Sequence, residues 1–109
     1  MTNLLVETIG CLIENGKTPS DVLWVQHSIL ESGKWPRGYK TTWEDFCAKA
    51  NFEYDNDYGW VEIPGDLLIV GRDFWLERDE YDGCEWWEFK TIPSEPEEQR
   101  EIECLRIRQ

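Results

Sequence analysis

The chain has 109 residues and a formal net charge of −12, from 23 Asp and Glu against 11 Lys and Arg, with 14% aromatic residues that include seven tryptophans. A chain of this length buries roughly two-thirds of its unfolded surface on folding, and 40% hydrophobic content is too apolar for disorder, so it is expected to fold. Phosphates would be repelled by so negative a protein, which argues against direct nucleic-acid binding and against anionic membranes, and favours a basic protein surface as partner.

In chain order, residues Thr2 to Asn15 show a helical pattern, with Leu4, Leu5, Ile9, Leu12 and Ile13 forming one apolar stripe. Gly16 is placed to end that helix. Thr18 to Asp21 reads as a turn, and Val22 to His27, with Trp24 inside it, as a β-prone run. Residues 28–41 are the most basic stretch, punctuated by Gly33, Pro36 and Gly38, and read as a loop with a short strand near Tyr39. A short second helix is expected from Thr42 to about Ala50, with Trp43, Phe46, Cys47 and Ala50 on one face. Its capping box is either Thr41 with Glu44 or, one residue on, Thr42 with Asp45.

Asn51 to Gly59 is an acidic, aromatic turn. A β region follows: Trp60 to Ile63, Leu67 to Val70, Phe74 to Tyr81 and Cys84 to Thr91. Gly71-Arg72-Asp73 makes one reversal and Asp82-Gly83 the next, the latter a strong hairpin signal. Pro93, Pro96 and a run of glutamates mark residues 93–109 as a charged tail with a short helix around Ile102 and Leu105. The fold class is therefore α+β: an N-terminal helix, a short second helix, and an antiparallel β-meander ending in a β-hairpin, as one domain over residues 1–92.

The Asp82-Gly83 turn sets the register of the last hairpin. Tyr81 opposes Cys84, Glu80 opposes Glu85, Asp79 opposes Trp86, Arg78 opposes Trp87 and Glu77 opposes Glu88. Side chains alternate faces, so Phe74, Leu76, Arg78, Trp87 and Phe89 share a core face on which Arg78 can stack on Trp87. Trp75, Glu77, Asp79, Tyr81, Trp86 and Glu88 share the other. Like charges placed opposite each other are destabilising, and tryptophan and tyrosine beside charge compose a binding hot spot, unless another element covers this face. Candidate partner-binding residues are Trp75, Glu77, Asp79, Tyr81, Glu85, Trp86 and Glu88, with Asp55 and Asp57 as a second acidic patch.

Chemistry-bearing motifs are sparse. Cys11, Cys47, Cys84 and Cys104 are irregularly spaced and His27 stands apart from them, so no zinc site is indicated. Asp55, Asp57 and Gly59 resemble a calcium loop, but the glycine falls one position early and the final glutamate is missing. No phosphate-binding glycine loop occurs. The expectation is a non-enzymatic protein without metal or cofactor. Glu7 stands where a secretory leader would be basic, so reduced thiols and a cytoplasmic setting are expected, with Cys11 and Cys47 as helix core filler.

The segments DVLWV, TTWEDFCAKANFEYDNDYG and DLLIVGRDFWLERDEYDGCEWWEFK resemble a group of small acidic proteins encoded by phages and other mobile elements of bacteria. The resemblance covers Asp21 to Pro93. In those relatives the stretch after DVLWV looks like a short hairpin, from which Ile29 to Tyr39 departs. The resemblance implies an anti-defence role, such as an anti-CRISPR protein that mimics nucleic acid and occupies the basic channel of a Cas effector nuclease. An immunity protein against a cationic toxin, or a phage accessory protein without inhibitory activity, fits the same features.

Overall fold

The computed structural model describes residues 1–29, 37–57 and 59–107. Strand β1 (Thr2–Asn3) runs directly into helix α1 (Leu4–Glu14), and strands β2 (Val22–Ile29) and β3 (Arg37–Thr41) follow. Helix α2 (Trp43–Ala50) precedes β4 (Glu53–Tyr54), β5 (Leu68–Gly71), β6 (Phe74–Tyr81) and β7 (Cys84–Thr91). This is the α+β class with an antiparallel meander.

Local chemistry explains where each helix starts and stops. The Asn3 side chain accepts from the Val6 N–H at 3.1 Å, capping α1. At the other end the Gly16 N–H donates to Ile13 O (3.0 Å) and the Lys17 N–H to Leu12 O (2.8 Å). Gly16 has φ 76, so this is a Schellman motif of the kind glycine permits. Leu4, Thr8 and Leu12, one helical turn apart, are the buried stripe. For α2 the shifted alternative is the one realised: Thr42 is the cap and accepts from the Asp45 N–H at 3.0 Å. Thr41 instead donates its hydroxyl to the Asp45 carboxylate at 2.8 Å.

Five strands form one antiparallel sheet in the order β3-β2-β5-β6-β7, and β1 pairs with β4 separately. The register makes straight rows across the sheet. Thr41, Val25, Ile69, Leu76 and Phe89 are successive partners on one face. Both helices pack on that face, where Leu4, Leu12, Phe46 and Ala50 meet Val25, Ile69, Leu76 and Trp87 in the core. Each buried valine, leucine, isoleucine or phenylalanine among them contributes about 1.5–3 kcal/mol relative to an exposed position. The next row, Lys40, Gln26, Leu68, Glu77 and Glu88, lies on the opposite face. Trp24, Val70, Trp75 and Lys90 form a third row on that same side.

Three expectations are corrected. Trp60 to Ile63 forms no strand; it belongs to the connection between β4 and β5, held by contacts described below. Residues 92–107 carry no helix and are exposed throughout, because Ile102 and Leu105 find no apolar surface to pack on. The acidic turn beginning at Asn51 opens with a strand, β4, whose Tyr54 is buried against α1. The basic stretch contains a five-residue strand, β3, paired with β2; residues 30–36 of that stretch lie outside the described residues.

Candidate functional site

The last hairpin has the inferred register throughout, from Tyr81 opposite Cys84 to Phe74 opposite Thr91. Asp82 (φ 52) and Gly83 (φ 87) both take positive φ, the backbone of the mirror-image two-residue turn that Asp-Gly favours. One side of this hairpin therefore faces the helices and the other faces away.

On the inner side a buried polar network surrounds Arg78, amid the apolar packing of Phe74, Leu76 and Trp87. Arg78 is 8% exposed. Its guanidinium lies 3.2 Å from Glu7 Oε1 and 3.1 Å from Glu85 Oε1, and donates to the Tyr54 hydroxyl at 3.0 Å. The Trp87 ring lies over it at 4.7 Å and the Tyr54 ring at 5.7 Å, so the foreseen stacking on Trp87 occurs. Tyr54 donates its own proton to Glu7. Burial, reinforced by that hydrogen bond and opposed by Arg78, pushes the Tyr54 phenol up to about 12. Trp87 Nε1 donates to Thr8 Oγ1 at 2.9 Å, and the Thr8 hydroxyl donates a hydrogen bond to Leu4 O at 2.7 Å.

Glu85 was grouped with the partner-binding residues, and here the structure corrects the sequence reading. It is 2% exposed. Besides Arg78, its carboxylate accepts the backbone N–H groups of Glu62 (2.8 Å) and Ile63 (3.1 Å). The strand places Glu85 on the same face as Trp87, so the side chain points inward and tethers the β4–β5 connection rather than meeting a partner.

The remaining hairpin candidates do share the outer face. Trp75 Nε1 donates to Glu77 Oε1 at 2.9 Å, and Trp86 Nε1 donates to Glu88 Oε1 at 2.7 Å. Glu77 and Glu88 are directly opposite each other, and Asp79 is opposite Trp86. Two indoles thus hold two carboxylates side by side, offsetting part of their repulsion. Asp79 is exposed and accepts the Glu80 N–H at 2.8 Å, while Tyr81 is 75% exposed at the end of the hairpin. Trp75, Glu77, Trp86 and Glu88 are half-buried; the core contacts of the helices lie on the other side, and α1 borders this face only at Trp86, across a groove lined by Glu7, Gly10, Cys11 and Glu14.

Sequence reasoning missed that the face extends beyond the hairpin. Trp24 lies two strands away in the same row as Trp75, and its Nε1 donates to Gln26 Oε1 at 3.3 Å. The signal was a repeated triplet, Trp-x-Gln at 24–26 and Trp-x-Glu at 75–77 and 86–88, which puts an indole and its acceptor on one face of each strand.

The second acidic patch is only partly available. Asp55 is half-buried; its carboxylate accepts the Asp57 N–H at 3.2 Å and its N–H donates to Glu62 at 2.9 Å. Asp57 is exposed. Asn56 O accepts the Glu85 N–H at 2.8 Å, so this turn sits beside the start of β7, next to the outer face rather than on it.

The thiols carry no disulfide; Cys11 and Cys47 are half-buried, Cys84 and Cys104 exposed. Burial pushes the Cys11 thiol up, aided by Glu14, Glu7 and Glu88, and burial also raises that of Cys47. Among the described residues no cluster of three or more His, Cys, Asp or Glu side chains could hold a metal ion, and no helix is long and apolar enough to cross a membrane. No family model matches this chain, and comparison with curated proteins and with solved structures likewise found no match.

Proposed function

We propose that the protein is a non-enzymatic binding protein whose uncovered sheet face seats on a basic surface of another protein, in the bacterial cytoplasm. The observation that carries this reading is the pair of opposed carboxylates, Glu77 and Glu88, each held by the indole of a tryptophan two residues before it on an open face. Fixed carboxylates between flat aromatic surfaces suit a partner that offers arginine and lysine, because cations pair with the acids and stack on the indoles. With a net charge of −12, long-range attraction to a cationic groove would speed the encounter.

Grooves of that kind belong to proteins that handle nucleic acid. The resemblance to proteins of phages and mobile elements supplies the setting: an inhibitor of a defence nuclease, most concretely an anti-CRISPR protein that occupies the nucleic-acid channel of a Cas effector. Trp75, Trp86 and Tyr81 anchor the contact in this reading, while Glu77, Asp79 and Glu88 take the place of phosphates.

The test is capture of partners by the tagged protein from a bacterial host at low and high salt, followed by cleavage assays on whatever nuclease is retained. A basic nuclease, bound at low salt and inhibited, is the expected result. A Glu77→Gln/Glu88→Gln variant keeps acceptors for both indoles but removes two charges, and should weaken binding at least tenfold. Unchanged inhibition by that variant would remove this face from the mechanism, and capture of a cationic toxin would redirect the reading to an immunity protein.

A further inference from the structure

A groove runs between helix α1 and strand β7, lined by Glu7, Gly10, Cys11, Glu14, Trp86 and Trp87, with a volume of about 310 Å³. Its four helical residues recur at spacings of three, one and three, so they form one stripe beside the buried stripe of Leu4, Thr8 and Leu12. Gly10 is the unexpected member. It sits in the middle of an 11-residue helix, in ordinary helical backbone, although glycine is the poorest helix former after proline. At Gly71 a Cβ would run into the Phe74 ring, but at Gly10 it would meet nothing within 4 Å. Neither backbone conformation nor crowding calls for glycine here. What the missing side chain leaves is room in the groove.

The walls specify what the groove can hold. Both side-chain hydrogen bonds to Glu7, from Tyr54 and Arg78, fall on Oε1, and among the described residues Oε2 accepts none. Glu14 is exposed and, among the described residues, forms no ion pair. Glu88, the acceptor of the Trp86 indole, stands near: burial raises the Cys11 thiol, and Glu14, Glu7 and Glu88 add to the rise. Carboxylates beside indoles call for a cation.

Two of these side chains already hold a guanidinium. On the interior side Arg78 lies 3.2 Å from Glu7 and 4.7 Å from the Trp87 ring. The groove presents the same chemistry outward, with Trp86 and Glu14 added. Arginine suits it better than lysine, because a flat guanidinium can stack on an indole while donating two parallel hydrogen bonds to a carboxylate. We propose that the groove receives an arginine side chain of the basic partner, its guanidinium pairing with Glu7 and Glu14 and its flat face lying on Trp86. Such a contact rests on the reading of a basic protein partner and names the side chain that anchors it.

NMR titration of the isotope-labelled full chain with N-acetyl-arginine N-methylamide, and with its lysine and citrulline counterparts, tests the groove without the partner. The arginine probe should saturably shift the amides of Gly10 and Cys11 and the indole N–H of Trp86. It should bind roughly threefold tighter than the lysine probe, and the uncharged citrulline probe should shift nothing. Gly10→Leu keeps every charge, replaces a poor helix former with a good one and fills the groove. That variant should match or exceed the parent in Tm and weaken the arginine probe roughly tenfold. Glu14→Gln, an exposed change, should weaken it roughly threefold. Equal binding of the arginine and lysine probes overturns the inference, as do shifts spread over the acidic surface or a Gly10→Leu chain that binds like its parent. In partner capture, a basic protein retained equally by parent and Gly10→Leu also overturns it, yet leaves the proposed function in place. A probe held in the groove, with no basic protein captured by the parent, does the reverse: the groove chemistry stands and the proposed function falls.

Discussion

Replacing Arg78 with methionine should destabilise the protein more than any substitution on the outer face. The guanidinium touches Glu7 at 3.2 Å, Glu85 at 3.1 Å and the Tyr54 hydroxyl at 3.0 Å, with both side chains of the Glu85 pair almost fully buried. Methionine fills most of the volume but leaves the buried Glu85 carboxylate with only two backbone donors. Removing one member of a buried pair costs about 3–5 kcal/mol, within which the lost stacking on Trp87 accounts for roughly 0.5–2. For a chain of this size that corresponds to a fall in Tm of roughly 12–20 °C. Urea unfolding followed by tryptophan fluorescence and by far-ultraviolet circular dichroism measures the change. Adding Glu85→Gln to Arg78→Met removes the stranded charge, so the double variant should be more stable than the sum of the two single losses by about 1–3 kcal/mol. A loss below 1 kcal/mol for Arg78→Met, or strict additivity in the double variant, would refute the view that this ion pair holds hairpin and loop together.

A Cβ on Gly71 would lie 2.0 Å from Cε1 of the buried Phe74 ring, so Gly71→Ala should cost about 1–3 kcal/mol in the same unfolding assay. Tyr54 should make stability fall as pH rises from about 10 to 12: the unfolded chain releases its tyrosine proton first, while the folded chain keeps it until about 12 and so binds more protons in that window. Tyr54→Phe should remove that part of the slope, measured as unfolding free energy against pH. Titration with a disulfide reagent at pH 8 should show two fast thiols, Cys84 and Cys104, and two slow ones, Cys11 and Cys47, until urea exposes the latter pair.

The most legible part of this fold was the part governed by local rules. Asp82-Gly83 dictates a two-residue turn, the turn dictates the register, and the period of two dictates the faces, so the pairing of Glu77 with Glu88 and the stacking of Arg78 on Trp87 followed from a short stretch of sequence. The same reasoning placed Glu85 correctly opposite Glu80 but then counted it with the surface acids. Its inward position follows from the same period of two, which sets it on the face of Trp87; only its contact with Glu62 and Ile63, about twenty residues earlier in a connection without regular structure, lay beyond any periodicity. Tyr54 and Glu7 were invisible for a similar reason, since they meet Arg78 only once α1 and β4 pack beside the hairpin. The strand expected at Trp60 to Ile63 failed because the backbone N–H groups of Glu62 and Ile63 are taken by the Glu85 carboxylate rather than by a strand ladder.

The alternation along β6 has a consequence for how such a protein can change over time. Phe74, Leu76 and Arg78 answer to the interior, whereas Trp75, Glu77 and Asp79 answer only to what lies outside. A lineage could therefore rewrite every second residue and acquire a different surface chemistry while the scaffold persisted. Glu85 is the exception on the neighbouring strand, an acid that resembles its outward neighbours in type yet belongs with the interior set. Drift at that one position would loosen the connection from Glu62 to Ile63 and so reach the surface indirectly, through the shape of a loop.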